Sequence, residues 1–157
     1  MNIYYAKAAL YAYPHIDKIA EEIDNTCLKK ALRSASDISS AQSQCEEIVF
    51  LKFKKQMLLE FKSRIEKALS GFKQSDLDKF EYKYFRRKGT KYFEDFDSSS
   101  CTYFRRQKRI AQTFAIRLSE AGVDDGWFEG EGAKFIKPYI KDAIEHDENQ
   151  ARKRKAK

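Results

Sequence analysis

Residues 75–118 read SDLDKFEYKYFRRKGTKYFEDFDSSSCTYFRRQKRIAQTFAIRL. Ser75 stands three residues before Asp78, and such a pair can cap the free N–H groups at the start of a helix. Apolar side chains follow at helical spacing, namely Leu77, Phe80, Tyr84 and Phe85. The stretch therefore begins with a predicted helix over about 76–87.

A second, short helix is predicted directly afterwards. Gly89 permits the left-handed backbone that often ends a helix, and Thr90 can cap the segment KYFEDF at 91–96. The aromatic side chains of this segment need a buried face. Asp97 and the serines at 98–100 then supply a tight connection and another helix cap.

The third predicted helix is long and basic, and Gly122 is predicted to end it. Its apolar side chains recur at spacings of three, four and seven, at Cys101, Phe104, Ala111, Phe114, Ala115 and Leu118. Between 83 and 109 the chain holds nine Lys or Arg against three acids, a net charge of +6. Three consecutive capped helices with a basic third helix predict a helix-turn-helix. A charge run on one isolated helix would more often be a solvated face.

The basic and hydroxyl side chains of this stretch suit DNA. Hydroxyls and a helix N-terminus bind phosphate oxygens, and arginine can read guanine edges bidentately in the major groove. Placed opposite the apolar stripe, positions 99, 102, 103, 106 and 109–110 make Arg106 the predicted base reader and Arg105 a phosphate contact. The candidate DNA-binding residues are Arg86, Arg87, Lys88, Lys91, Ser99, Ser100, Thr102, Tyr103, Arg105, Arg106 and Arg109.

The same residues resemble the helix-turn-helix of the fourth conserved region of bacterial sigma factors, and of phage late-transcription activators of the ArpU and RinA type. The resemblance rests on 84–87, 92–96, 98–100 and 102–106, within a match of about 45 residues. The rest of the chain is similar to small proteins of clostridial prophages and prophage-like elements. The resemblance implies a DNA-binding transcription regulator of a mobile element, with double-stranded DNA and RNA polymerase as partners.

The flanking segments predict an all-α protein in three parts. Residues 1–70 hold a helix over 2–12, a second from Pro14 to about Arg33, and a long third helix after the polar loop 34–43. Two long helices with a short connection predict an antiparallel hairpin. The other parts are the helix-turn-helix, 71–121, and a C-terminal part, 122–157, with a Trp127-Phe128 anchor, a helix over about 134–146 and a basic tail that is either phosphate-seeking or solubilising.

The apolar stripe of the long helix is wider than one partner helix can cover. It runs through Ile48, Leu51, Leu58, Ile65 and Leu69, with Phe50, Phe53, Met57 and Phe61 beside it. We expect these side chains in the core, packed on the helix-turn-helix as well as on the hairpin partner. The alternative is that the stripe makes a homodimer.

Composition favours a folded cytoplasmic protein with a polyanionic partner. The chain has 157 residues, 42% of them hydrophobic, a net charge of +7 and a pI near 9.2. No segment approaches the roughly 20 apolar residues that span a bilayer, and the N-terminus lacks the basic start of a signal peptide. Cys27, Cys45 and Cys101 lie far apart, which favours free thiols.

Residues for catalysis are missing from the sequence. There are two histidines, His15 and His146, and the six glycines stand singly, so neither a catalytic histidine cluster, a metal site nor a phosphate loop is expected. We therefore expect no enzyme and no cofactor. Besides the transcription regulator, two function classes stay open: an accessory recombination directionality factor, excisionase-like, that binds a phage-type integrase, and a helical protein-interaction module.

Overall fold

The computed structural model describes residues 1–34, 41–85, 100–141 and 144–145. Within these ranges the chain consists of helices and turns without a strand, which confirms the predicted all-α class. None of the described helices is long and apolar enough to cross a membrane. The chain forms two compact units, one of Met1–Pro14 with Arg64–Lys157 and the other of His15–Ser63.

The unit His15–Ser63 is the predicted antiparallel hairpin. Helix α2 spans Ile16–Ser34, and helix α3 spans Ala41–Leu69 and continues into the other unit. Ion pairs connect the two helices. Asp17 pairs with Lys62, Asp24 with Lys52 and Lys55, and Lys30 with Glu47. Residues later in α2 therefore contact residues earlier in α3, so the two helices are antiparallel. The buried face of α2 holds Ile16, Ala20, Ile23 and Cys27.

The hairpin buries less of its apolar surface than predicted. Leu58 and Phe61 of α3 are buried, but Phe50 and Phe53, which the pattern places in the core, are at least half exposed. On α2, Leu28 and Leu32 are also exposed. Two helices cover only the sides that they turn toward each other, so the wide stripe of α3 keeps an exposed outer side.

In the other unit, a small N-terminal helix packs on the basic helix. Helix α1 spans Ile3–Ala12 and is capped by the Asn2 side chain, whose Oδ1 accepts a hydrogen bond from the Tyr4 backbone N–H (3.0 Å). It packs against helix α5, which spans Ser100–Glu120. Small side chains let the two backbones approach closely, and the buried residues of α1 are Ala6, Ala8, Ala9, Leu10 and Ala12. A 3₁₀ turn, Tyr13–His15, follows.

Helix α4 spans Gln74–Phe80 and continues as a π-helical turn, Glu81–Phe85. The predicted cap at Ser75 is wrong, because Lys73 holds the cap position and makes no side-chain cap hydrogen bond. Asp78 instead accepts a hydrogen bond from Gln74 Nε2 (2.8 Å). The predicted second helix, 91–96, lies outside the described residues.

Aromatic contacts join α4 to its neighbours. The Phe80 ring lies 5.9 Å from Phe114 of α5 and 5.2 Å from Phe72, measured between ring centroids. The Tyr84 ring meets Tyr11 of α1 at 4.8 Å. The first and third helices of the predicted helix-turn-helix are therefore in contact, and α1 packs against both α5 and the π-helical turn.

Helix α5 ends at Gly122, as predicted. Gly122 has a φ of +87°, and its N–H donates to the Ser119 carbonyl (2.9 Å) while the Val123 N–H donates to the Leu118 carbonyl (3.1 Å). This pair of bonds is a Schellman motif, in which glycine takes the left-handed position without steric cost.

The C-terminal part folds back on α1. Helix α6 spans Asp125–Glu129, and its Phe128 is buried and stacks on Tyr5 of α1, with ring centroids 4.8 Å apart, which confirms the predicted anchor. A 3₁₀ segment, Glu131–Phe135, follows, and the backbone is helical at 137–141 and 144–145, so the predicted C-terminal helix begins later than 134. The basic tail lies outside the described residues.

The compact units do not follow the predicted boundaries at 70 and 121. Helix α1 belongs with α5, since the two are in contact, and so does the end of α3 from Arg64. Arg64 Nη1 donates a hydrogen bond to the Gly122 carbonyl (2.6 Å), which ties the end of α3 to the end of α5. Contacts between residues this far apart in sequence decide the division.

Candidate nucleic-acid interface

One face of α5 is buried and fixes the orientation of the helix. Its buried residues recur at spacings of three and four, namely Gln107, Ile110, Ala111, Phe114, Ala115 and Leu118. The sequence placed position 110 on the exposed side, and this is wrong, because Ile110 is only 7% exposed. The sequence pattern assigned Gln107 to neither the apolar nor the basic face. It stands four residues before Ala111 and seven before Phe114, which is the spacing of the buried stripe.

The opposite face of α5 is basic. Four cationic side chains and two neutral polar ones are exposed along it: Thr102, Arg105, Arg106, Lys108, Arg109 and Gln112. No acidic residue stands in the first turn of the helix, so the positive end of its dipole is not neutralised there. This set of six residues is called the basic face below.

The burial of Gln107 and Ile110 rotates the basic face relative to the prediction. With about 100° between successive residues, Arg109 lies within about 10° of the direction opposite the buried stripe. Arg105 lies about 30° from that direction and Arg106 about 70°. The central arginine is therefore Arg109, and Arg105 stands nearer the centre than Arg106, the reverse of the predicted ranking. The prediction had centred the stripe on Phe104, Ala111 and Leu118.

The cations of the basic face are not paired with carboxylates in the described part of the chain. These cations are Arg105, Arg106, Lys108 and Arg109. The hairpin behaves differently, because there Lys52, Lys55 and Lys62 each bind an aspartate at 2.5–2.8 Å. Charges that are left without counter-ions on one helix face attract a polyanion.

The structure brings together part of the predicted site. Thr102, Arg105, Arg106 and Arg109 share the basic face, and Lys108 and Gln112 join them. Ser100 is the first residue of α5, and Tyr103 lies in its first turn. The remaining predicted residues, Arg86, Arg87, Lys88, Lys91 and Ser99, lie outside the described residues.

Comparison with protein-family models, with characterised proteins and with solved structures gives no match. The site must therefore be judged on its own geometry. Within the described ranges, no group of three or more His, Cys, Asp or Glu side chains is placed to hold a metal ion. The described features that bear on function are the basic face of α5 and the exposed apolar side of α3.

Packing against neighbouring elements holds α5, which carries the basic face, in a fixed position. Phe114 is fully buried against Phe80 of α4, and Leu118 is fully buried one turn further along. Helix α1 packs along α5, and Arg64 holds the Gly122 carbonyl at its end. A helix fixed in this way presents its exposed side chains at defined spacing, which base readout requires.

Proposed function

We propose that this chain is a cytoplasmic DNA-binding regulatory protein of a prophage or other mobile element, a transcription regulator that resembles sigma-factor region 4. The observation that carries the proposal is the basic face of α5. The contact of α4 with α5 supports it, because the first and third helices of a helix-turn-helix pack on each other.

The dimensions of the basic face suit the major groove. Thr102 to Gln112 spans about 15 Å along the helix, which compares with a groove about 12 Å wide. The cations occupy the N-terminal half of α5, the end by which a recognition helix enters the groove. Arg109 is positioned to reach base edges, with Arg105 and Arg106 on either side of it toward the phosphates.

RNA polymerase is the proposed protein partner, because the resemblance to sigma-factor region 4 implies it. Arg86, Arg87, Lys88 and Lys91 are the further phosphate contacts that the sequence predicts. The recombination factor is the second candidate, and it differs in partner and in genomic target rather than in the use of DNA.

Salt dependence of DNA binding tests the proposal directly. Fluorescence anisotropy with a labelled duplex should give an affinity that falls steeply with salt, and Arg105→Ala with Arg106→Ala should reduce the slope of log K against log salt by roughly 0.9 per lost phosphate contact. Lys29→Ala is the matched control, since Lys29 is equally exposed on α2, and should leave the slope unchanged. An unchanged slope in the double variant would remove α5 from the interface.

Chromatin immunoprecipitation with sequencing separates the function classes. Peaks at promoters support the transcription regulator. Peaks at the attachment sites of a mobile element, dependent on its integrase, favour the recombination factor. A protein without peaks is a protein-interaction module, and the proposal is then wrong.

A further inference from the structure

The first half of α3 carries an exposed apolar surface. Val49, Phe50 and Phe53 are 69%, 50% and 61% exposed, whereas Leu58 and Phe61 further along the helix are 1% exposed. With Gln42, Cys45 and Glu46 they line a shallow groove on the outer side of the helix. Three large apolar side chains within five residues are costly to leave in water.

Two leucines of α2 are exposed at the same level of the hairpin. The ion pairs Asp24–Lys52 and Lys30–Glu47 fix the register of the hairpin, so positions 28 and 32 of α2 run alongside 45–50 of α3. Leu28 and Leu32 are 60% and 67% exposed. The three side chains on α3 expose on the order of 300 Å², which is within the range of the largest apolar patch of a typical monomer.

We propose that a second copy of this chain covers this surface, with the two α3 helices antiparallel about a twofold axis near Val49. The distribution of charge along α3 favours a second copy of the chain over other partners. Acidic residues, Glu46 and Glu47, stand just before the apolar side chains, and Lys52, Lys54 and Lys55 stand among and after them. An antiparallel second copy sets the acidic end of each helix against the basic end of the other, whereas a parallel copy opposes like charges.

The ion pairs within the hairpin leave this complementarity intact. Glu47 binds Lys30, but Glu46 lies in no ion pair with another described residue and is bonded only to the neutral Gln42 (3.4 Å). At the other end, Lys52 and Lys55 share the single carboxylate of Asp24, so this end keeps a net positive charge. With the axis near Val49, Glu46 lies at the same level along the helix pair as the partner's Lys52.

The same twofold axis also brings apolar side chains of the two copies together. Phe53 falls opposite the partner's Cys45, a small apolar side chain that leaves room for a phenyl ring, and Val49 meets the partner's Val49. All these residues lie in the unit His15–Ser63. The inference therefore does not depend on DNA binding, and either proposal can fail without the other.

Sedimentation equilibrium of the full chain tests the dimer. We expect a concentration-dependent dimer, and Phe53→Glu should raise its dissociation constant by at least about tenfold, since it places a charge in the centre of the interface. Ile116→Glu is the matched control, because Ile116 is also 61% exposed but lies on α5, and it should not change the dissociation constant. A chain that stays monomeric up to about 100 μM, or a dimer that Phe53→Glu leaves intact, overturns the proposal.

A charge exchange tests the antiparallel arrangement. Glu46→Lys and Lys52→Glu should each weaken the homodimer, and a mixture of the two variants should restore it, because both contacts of the mixed dimer then join opposite charges. Circular dichroism verifies that Lys52→Glu keeps its helices, since Lys52 also binds Asp24. A mixture no tighter than the single variants overturns the arrangement.

A cysteine on the axis gives a readout that does not depend on charge. Val49→Cys, combined with Cys45→Ser, should form a disulfide between copies under mild oxidation, because two residues on a twofold axis lie face to face. Cys45 in the unchanged chain lies opposite the partner's Phe53 and should not cross-link with the partner's Cys45. Failure of the Val49→Cys variant to cross-link, or cross-linking of Cys45 to itself, overturns the proposed axis.

Discussion

Arg109 projects from the centre of the basic face of α5 and is the arginine best placed to read a base. Arg109→Ala should cost about 1–3 kcal/mol on the best DNA site and relax the preference at one base position, as loss of a bidentate guanine contact does. Selection from a random DNA library measures both effects. Lys108→Ala is the control, because Lys108 lies about 90° from the centre of the face and should affect affinity without altering the motif. The same motif for the Arg109 variant and the unchanged chain would refute this docking.

Gly122 holds a conformation that other residues adopt at a cost. Its φ of +87° is in the left-handed region, and an added Cβ would lie 3.3 Å from Arg64 Nη1, the group that binds the Gly122 carbonyl. Gly122→Ala should therefore lower the free energy of unfolding by about 1–2 kcal/mol. Thermal denaturation measures this. Gly126→Ala is the control, because Gly126 lies in α6 without a positive φ, and it should change stability much less.

The hairpin of α2 and α3 is held in part by one charged cluster. Hydrogen bonds from Lys52 and Lys55 hold the pKa of the Asp24 carboxyl below its ordinary value of 3.8. A carboxyl with a lowered pKa stabilises the fold above its unfolded-state pKa, and this contribution is lost as pH falls through the folded-state pKa. Asp24→Asn should thus reduce stability at neutral pH, and the difference from the unchanged chain should shrink as pH falls below 3.8.

Melting curves of both chains between about pH 2 and 7 check this prediction. The contribution is small, since the Asp24 and Lys52 side chains are partly exposed to solvent and salt screens such pairs, so its disappearance in high salt is a second readout. Glu21→Gln on the same helix is the control, because Glu21 forms no ion pair with another described residue. A difference that persists at low pH would mean that Asp24 acts through packing rather than charge.

Local signals in the sequence predicted most helices of this protein, but they did not predict which other elements pack on those helices. Apolar periodicity located α2, α3 and α5, and Gly122 marked the end of α5, because helix propensity and capping act within a few residues. The same periodicity runs through all of α3, yet Phe61 is buried and Phe53 is exposed. Periodicity tells which side chains share a face, whereas burial depends on whether another element reaches that part of the face.

The candidate site shows the same limit. The sequence predicted that Arg105, Arg106 and Arg109 share a basic face, but it ranked them incorrectly. The ranking depends on the burial of Ile110 and Gln107, and this follows from the packing of α5 against other elements of its unit, including α1 about 100 residues earlier in the chain. Gln107 and Ile110 stand at the spacing of the stripe, but spacing alone does not tell how far around α5 the neighbouring elements reach.

At the scale of the whole molecule, α1 is an integral part of the unit that carries the basic face. All five of its buried residues are fully covered, and removing one buried leucine such as Leu10 costs about 2–5 kcal/mol in a typical core. Total stabilities are only about 5–15 kcal/mol. The fragment 71–157, which contains the whole predicted helix-turn-helix, should therefore not fold cooperatively by itself.

A chain that keeps 1–14 and 64–157 but replaces 15–63 by a short linker should fold. The Tyr13 hydroxyl donates to Glu66 Oε1 at 3.2 Å, so the two ends to be joined lie close together, and six Gly or Ser residues reach about 13 Å. We expect helical circular dichroism and a single cooperative melting transition for this chain, and neither for 71–157. Because the readout is folding, it does not depend on DNA binding. Cooperative folding of 71–157 would show that α1 is dispensable and that the boundary predicted near residue 70 is the physical one.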